Sequence, residues 1–283
     1  MAKKKKKNQS RLRSILNIVV VFGVSGLLIW LFVFAERYLK TNYANQSGPL
    51  VFEDVPQWVE ETLLDKVYTA VGGYEFILDE SAAKAIGEAL QSVAWLDQIR
   101  VRVAHDGIHA QAKWRKPLGI IKQGADRFYV DADLVLLDDF PLNLPLVMVK
   151  GIGLDIPLRP GTQLNAPDLA EALKLIVLLD RMDKKMTPSK PLLREIEYVE
   201  MSNYMGRRNR SGSHIELIAK DGTTVQWGAE LGQWGKYMEV SDKEKLAKLY
   251  TFYKDCGYLL MGESKYINLR DSKYEVPTPT RGY

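Results

Sequence analysis

The sequence predicts an α+β protein carried on a single N-terminal membrane-spanning helix. Three observations lead there. An uncharged apolar run fills Ser14 to Ala35. Residues 49–118 then read as strand, helix, helix, strand, strand. A longer stretch, 119–276, mixes period-two segments with two capped helical stripes, which predicts a mixed α+β domain with a mostly antiparallel sheet.

The run "SILNIVVVFGVSGLLIWLFVFA" has 22 residues and no charge. As a helix it would span about 33 Å, enough to cross a bilayer core. A cleaved signal peptide would have a shorter apolar core and a small-residue cleavage site. This run ends on Trp30, Leu31, Phe32, Val33 and Phe34, so an uncleaved anchor is expected. Its flanks set the orientation. Lys3, Lys4, Lys5, Lys6, Lys7, Arg11 and Arg13 precede it without an acid, which puts residues 1–13 in the cytoplasm as a basic tail and the rest outside the membrane. Gly23 and Gly26 do not make a GxxxG pair, so no strong helix-dimerisation signal is present.

The positive net charge of +4 belongs to that tail. Of 39 basic residues, removing those seven leaves 32 against 35 acidic. The body is therefore slightly acidic, which gives no reason to expect nucleic-acid binding. Hydrophobic content of 46% with 26% charged residues excludes a disordered chain. The lone Cys256 excludes a disulfide-stapled scaffold and is expected to be a small core residue on a helix. The body must be held by its own hydrophobic core.

Residues 36–48 read as a polar stalk. "PLVFED" reads as a short strand. Pro56 is expected to open a helix striped by Val59, Leu63, Val67, Ala70 and Val71, which "VGGYEF" breaks. Asp79, Glu80 and Ser81 supply caps for a second helix, striped by Ala82, Ile86, Ala89, Leu90 and Val93. Asp106-Gly107 predicts a tight hairpin pairing His105 with Ile108, Val103 with Ala110 and Val101 with Ala112. Val101, Val103, Ile108, Ala110, Ala112 and Trp114 then face the core. Arg100, Arg102, His109, Gln111, Lys113 and Arg115 face solvent. The hairpin puts His105 and His109 on opposite faces, which argues against a shared metal ion.

Further along, "RFYVDADLVLL" predicts a hairpin around Asp131–Asp133. Asn165-Ala-Pro-Asp is expected to cap a helix striped by Leu169, Leu173, Ile176, Leu179 and Met182. "REIEYVEM" and "SHIELIAKDGTTVQWG" read as strands, the second folded at Asp221-Gly222. Ser241 and Glu244 form a capping-box pattern for a helix striped by Leu246, Leu249, Tyr250, Tyr253 and Cys256, with Gly257 at C′. Last comes "KYINLRDSKYEV", a polar strand with Tyr266, Asn268, Arg270 and Ser272 on one side, and Ile267, Leu269 and Asp271 on the other. Pro277 and Pro279 would end pairing, leaving 277–283 as a tail.

No G-x-S-x-G, Walker A, H-E-x-x-H or C-x-x-C occurs, so an anchored enzyme is disfavoured. Ser211-Gly212-Ser213-His214 places Ser beside His in sequence, which is not triad geometry. Asp131, Asp133, Asp138 and Asp139 lack the Gly and terminal Glu of a calcium loop and read as turn and strand-end chemistry. Arg207, Arg208 and Arg210 read as a solvated basic loop. No catalytic residue, metal ligand or cofactor is expected.

A resemblance gathers these elements. An anchor followed by the β-α-α-β-β unit looks like a POTRA domain, and the chain as a whole resembles the FtsQ/DivIB family of bacterial cell-division proteins. "AWLDQIRVR", "KWRKPLGII", "FYVDADLVLL", "LPLVMVKG", "DKEKLAKLYTFY" and "YINLRD" carry it, in that order across most of 14–276. The resemblance implies a POTRA domain at 49–118 and a β domain at 119–276. It implies a non-catalytic divisome scaffold of the inner membrane, at the septum, with the domains outside the cytoplasm. It implies FtsB-like and FtsL-like partners, with the former taken up by strand addition at the C-terminal edge. Tyr266, Asn268, Arg270, Ser272 and Tyr274 are the expected partner-binding residues, with no small-molecule substrate. The competing expectation is a membrane-anchored POTRA adaptor in envelope transport or assembly. The chain departs from the family pattern after "YINLR": Asp271 stands where an aromatic is expected, and "KYEVPTP" replaces a glycine-containing continuation.

Overall fold

The computed structural model describes residues 23–37, 46–154, 156–257, 260 and 266–271. Residues 23–37 are helical, with every side chain exposed, including Trp30 stacked on Phe34 at 5.5 Å. Among the described residues no helix is long and apolar enough to cross a membrane. The first part of the apolar run, 14–22, and the basic residues Lys3 to Arg13 lie outside the described residues, as do Ser272 and Tyr274.

The body is a mixed α+β structure built on two sheets. The first has strands β1 (Ser47–Glu53), β2 (Glu75–Ile77), β3 (Leu96–Ala104) and β4 (Gly107–Trp114), in the order β2-β1-β4-β3. Helices α1 (Glu61–Val71) and α2 (Glu80–Gln91) accompany it. The order is therefore β-α-β-α-β-β. The segment expected only to break the first helix, "VGGYEF", contributes β2, because Gly72 at φ +101° turns the chain back along β1. α1 starts at Glu61 rather than Pro56, and its N-cap Glu60 makes no side-chain cap bond. Asp79 does cap α2, accepting from the Ala82 N–H at 2.6 Å. α2 buries Ala83, Ile86 and Leu90, so its stripe begins one residue later than expected.

The β3–β4 hairpin keeps the expected faces but not the expected register. Val103 pairs with Ile108 and Val101 with Ala110. The two turn residues are His105 and Asp106, and neither has positive φ. Gly107 serves the neighbouring strand instead. A Cβ there would stand 2.5 Å from the Pro49 carbonyl oxygen, so only glycine lets β1 lie this close. Moving the turn by one residue shifts each partner by two, which preserves the face. Ile108 and Ala110 are fully buried while Arg100 and Arg102 are exposed.

The second sheet has eight strands: β5 (Gly119–Gln123), β6 (Asp126–Val130), β7 (Leu136–Asp138), β8 (Val147–Lys150), β9 (Ile196–Glu200), β10 (Ile215–Ala219), β11 (Thr224–Gly228) and β12 (Tyr266–Asn268). Their order is β12-β11-β10-β9-β8-β5-β6-β7. Four ladders are antiparallel, but β5–β8, β8–β9 and β11–β12 are parallel, more parallel pairing than expected. Two of the parallel pairs are crossovers, through α3 (Pro167–Met186) and α4 (Asp242–Asp255), which a parallel pair requires. α3 opens on Pro167 at its first position with Ala166 as N-cap, so Asn165 does not cap it. α4 carries the expected capping box between Ser241 and Glu244. Cys256 is its partly buried C-cap, and Gly257 follows at φ +71°.

One face of the large sheet packs against α3 and α4 through Val130, Val149, Val199, Leu217, Val225, Trp227 and Ile267. The opposite face divides. At β5–β7, Ile120, Tyr129 and Leu137 join the core of the first unit, where Trp95 meets Tyr129 edge-on at 5.9 Å. Asp138 ties the same joint, accepting from Trp95 Nε1 at 2.9 Å and from Lys66 Nζ. The two sheets thus share one apolar seam.

Candidate partner-binding edge

β12 lies at the end of the large sheet, with β11 its one neighbour among the described residues. Sequence determines why it runs there. Ile267 and Leu269 are 1% and 0% exposed, drawn into the core beside α4. The capping box fixes where α4 begins, and the helix returns the chain to run parallel with β11. Thr224 then pairs with Tyr266, Val225 with Ile267 and Gln226 with Asn268. Leu269 extends the ladder by donating to the Gln226 carbonyl at 3.1 Å.

In a parallel ladder alternate residues direct both backbone groups to one neighbour. The Leu269 bond assigns Ile267 and Leu269 to β11. Tyr266 and Asn268 therefore turn their N–H and C=O outward, and Tyr266 is 46% exposed. The open stretch ends at Arg270, whose carbonyl accepts from Val240 N–H at 2.9 Å and whose N–H donates to Asn268 Oδ1 at 2.9 Å.

Of the other three edges, β2 is a three-residue edge in the first sheet, and two are blunted. Leu136 of β7 bonds Thr162 and Gly161 through its N–H and carbonyl, so a following segment covers that edge. β3 bears a bulge between Asp97 and Arg100, with Gln98 at φ +52°, and two exposed arginines. β12 has no bulge, proline or lysine.

Arg270 is engaged within the chain. Its Nε donates to Glu239 Oε1 at 2.8 Å. Glu239 Oε2 accepts from Lys245 Nζ at 2.7 Å and from Ala229 N–H at 2.8 Å. The Lys245 side chain is 0% exposed and sits over the Trp227 ring at 5.4 Å. Burial alone would raise the Glu239 pKa, but Lys245, Ala229 and Arg270 together outweigh it and hold the carboxyl below its ordinary value. Gly228, at φ +98°, makes room: a Cβ there would meet Glu239 Oε2 at 2.2 Å and Arg270 Cγ at 2.7 Å. This network fastens the end of β12 to α4. Lys245 was legible as a charge within the apolar stripe of α4, four and eight residues before Leu249 and Tyr253. Nothing in the sequence pairs it with Glu239.

The remaining candidates resolve into structure. His109 is held by Glu53 at 3.0 Å and Asp106 at 3.1 Å, whereas the His105 side chain is 92% exposed. Asp131 accepts from the N–H groups of Asp133 and Val135 and from Arg115, as a turn residue. Among the described residues no group of His, Cys, Asp and Glu could hold a metal ion. Ser213 Oγ donates to the Ile215 carbonyl, and His214 Nδ1 meets Glu230 at 3.0 Å, so the two do not form a catalytic pair. Arg207 is exposed, as a loop arginine is expected to be, but also anchored: it donates to Asp168 at 3.0 Å and to the carbonyls of Gly151, Met201 and Ser202, which closes its loop. Arg208 and Arg210 are exposed.

No protein-family model matches the chain, and a search of curated proteins returns no match.

Proposed function

We propose that this chain is a non-catalytic, membrane-anchored scaffold of the FtsQ/DivIB kind. In this reading the apolar run 14–35 is the inner-membrane anchor, and the body lies outside the cytoplasm at the division septum. The body links septal peptidoglycan-synthesis subunits, an FtsB-like and an FtsL-like protein, and performs no chemistry of its own. The observation that carries the reading is the open edge of β12, a terminal strand with outward backbone groups at Tyr266 and Asn268. A partner strand would complete the ladder there. Backbone bonds would supply much of the affinity, and Tyr266 would offer an exposed aromatic anchor.

The test is binding of an FtsB-like partner to the full chain in detergent. Asn268→Pro removes an outward N–H without taking a bond from β11. Binding at micromolar concentration by the native chain, weakened by about tenfold or more in a variant that keeps the native circular dichroism, is expected, with a small stability loss from the missing Asn268 Oδ1 bond to the Arg270 N–H. A native chain that binds neither an FtsB-like nor an FtsL-like protein overturns the scaffold reading. Binding that Asn268→Pro leaves intact moves the site away from β12.

A further inference from the structure

The second face of the large sheet carries a separate feature. Between β9 and β12 the side chains opposite the core stand in two cross-strand rows. Tyr198, Ile218, Thr224 and Tyr266 pair in succession and form the first. Glu200, Glu216, Gln226 and Asn268 form the second. Every one of these is partly or fully exposed, whereas Val199, Leu217, Val225 and Ile267 on the core face are at most 1% exposed. The first unit covers this face only at the β5–β7 end, reaching as far as Met148 on β8.

The charges on it are unbalanced. Glu200 and Glu216 are direct cross-strand partners, an arrangement that costs stability. Glu200 is engaged by the Ser202 N–H at 2.9 Å and by its hydroxyl. Glu216 has no hydrogen-bond or ion-pair partner among the described residues. Partial burial, and then the Glu200 charge, raise its pKa above the ordinary value. The nearest cation in register, Lys150, lies over the Tyr198 ring at 3.5 Å instead.

We infer that this face docks an amphipathic helix of a partner protein, with a Lys or Arg of that helix seated against Glu216. Geometry fits a helix laid across the strands. Four strands at about 4.8 Å spacing present a band about 14 Å wide, and the two rows lie about 7 Å apart. A helix about 10 Å across covers both rows, and its i, i+4 side chains, about 6 Å apart, fall on successive strands. Tyr198, Ile218 and Tyr266 supply the apolar contact. Glu216 supplies a carboxylate that has no hydrogen-bond or ion-pair partner among the described residues, in a cleft whose rim also carries Arg208. This surface works through side chains, so it stands or falls independently of strand addition at the β12 backbone.

The experiment is selection from a displayed library of helical peptides on the full chain in detergent, with the Glu216→Lys chain as counter-target. That variant replaces a like-charge pair by an opposite one, so its fold is retained. Selected helices are expected to carry Lys or Arg beside an i, i+4 apolar stripe and to lose about tenfold or more in affinity on Glu216→Lys. Exchanging the peptide's basic residue for Glu should restore binding to Glu216→Lys. The inference is overturned if no helix is selected, if the selected helices lack a basic residue, or if they bind both chains equally. It is also overturned if the face is occupied by a second copy, seen as a doubled mass that Glu216→Lys abolishes.

Discussion

Arg270 and Glu239 are joined at 2.8 Å, and that contact turns the most conspicuous charge of the terminal strand away from solvent. The same carboxylate holds Lys245, which is completely buried. Arg270 thus positions the strand on which it is an expected partner-binding residue.

Replacing Glu239 with Ala should therefore be severe. It leaves Lys245 buried without a counter-charge, a loss of about 3–5 kcal/mol. Urea denaturation of the full chain measures it, and a loss under about 1 kcal/mol would mean that the network does not hold α4 to β12.

Charge reversal at Arg270 should act in the same way. Arg270→Glu sets two carboxylates against each other at the end of β12, so partner binding and stability should fall together. Binding lost at full stability would instead make Arg270 a direct contact.

Acid should reveal two opposed carboxylates. The folded pKa of Glu239 is lowered, so its contribution is fully present above the ordinary value of 4.5 and is lost as pH falls through the folded value. Glu216 is raised, so it favours the folded state at low pH, and stability from it falls as pH rises from 4.5 through its folded value. Denaturation midpoints between about pH 3 and about pH 7 should show Glu239→Gln flattening the acid limb. Glu216→Gln should add about 0.2–1 kcal/mol at neutral pH by removing the like-charge pair.

The joint between the sheets has its own marker. Asp138→Ala leaves Trp95 Nε1, on a fully buried ring, without an acceptor and releases Lys66. A loss of about 1–3 kcal/mol is expected, with a shift in tryptophan fluorescence during denaturation. Unchanged stability would mean that the shared apolar seam alone holds the two sheets.

Gly107→Ala is the corresponding backbone test. Its Cβ would lie 2.5 Å from the Pro49 oxygen, so β1 must move and the melting temperature should fall. An unchanged melting temperature would mean that β1 has room to shift at no cost.

Local features were readable where chemistry is local. The Asp79 cap, the Ser241–Glu244 box and the burial of Leu63, Leu90, Leu169 and Leu249 follow from neighbours within one or two turns. The alternation of Tyr266, Ile267, Asn268 and Leu269 was equally visible, and their burial follows it. The register of the β3–β4 hairpin was not readable, because the reason for Gly107 lies in Pro49, more than fifty residues earlier. Strand β2 was hidden for a similar reason: three residues after two glycines form a strand only because β1 is there to pair with.

By itself the sequence determined the two capped helices, the core faces of the strands, the apolar N-terminal run and the polar, alternating end. Those depend on periodicity and on side chains a few residues apart. Only the tertiary structure decided that β12 is an edge among the described strands, that Arg270 belongs to Glu239 and Lys245, and that Glu200 and Glu216 stand opposed on the face away from α3 and α4. Each of these depends on which distant segments become neighbours, and sheet order and long-range ion pairs have no local signal.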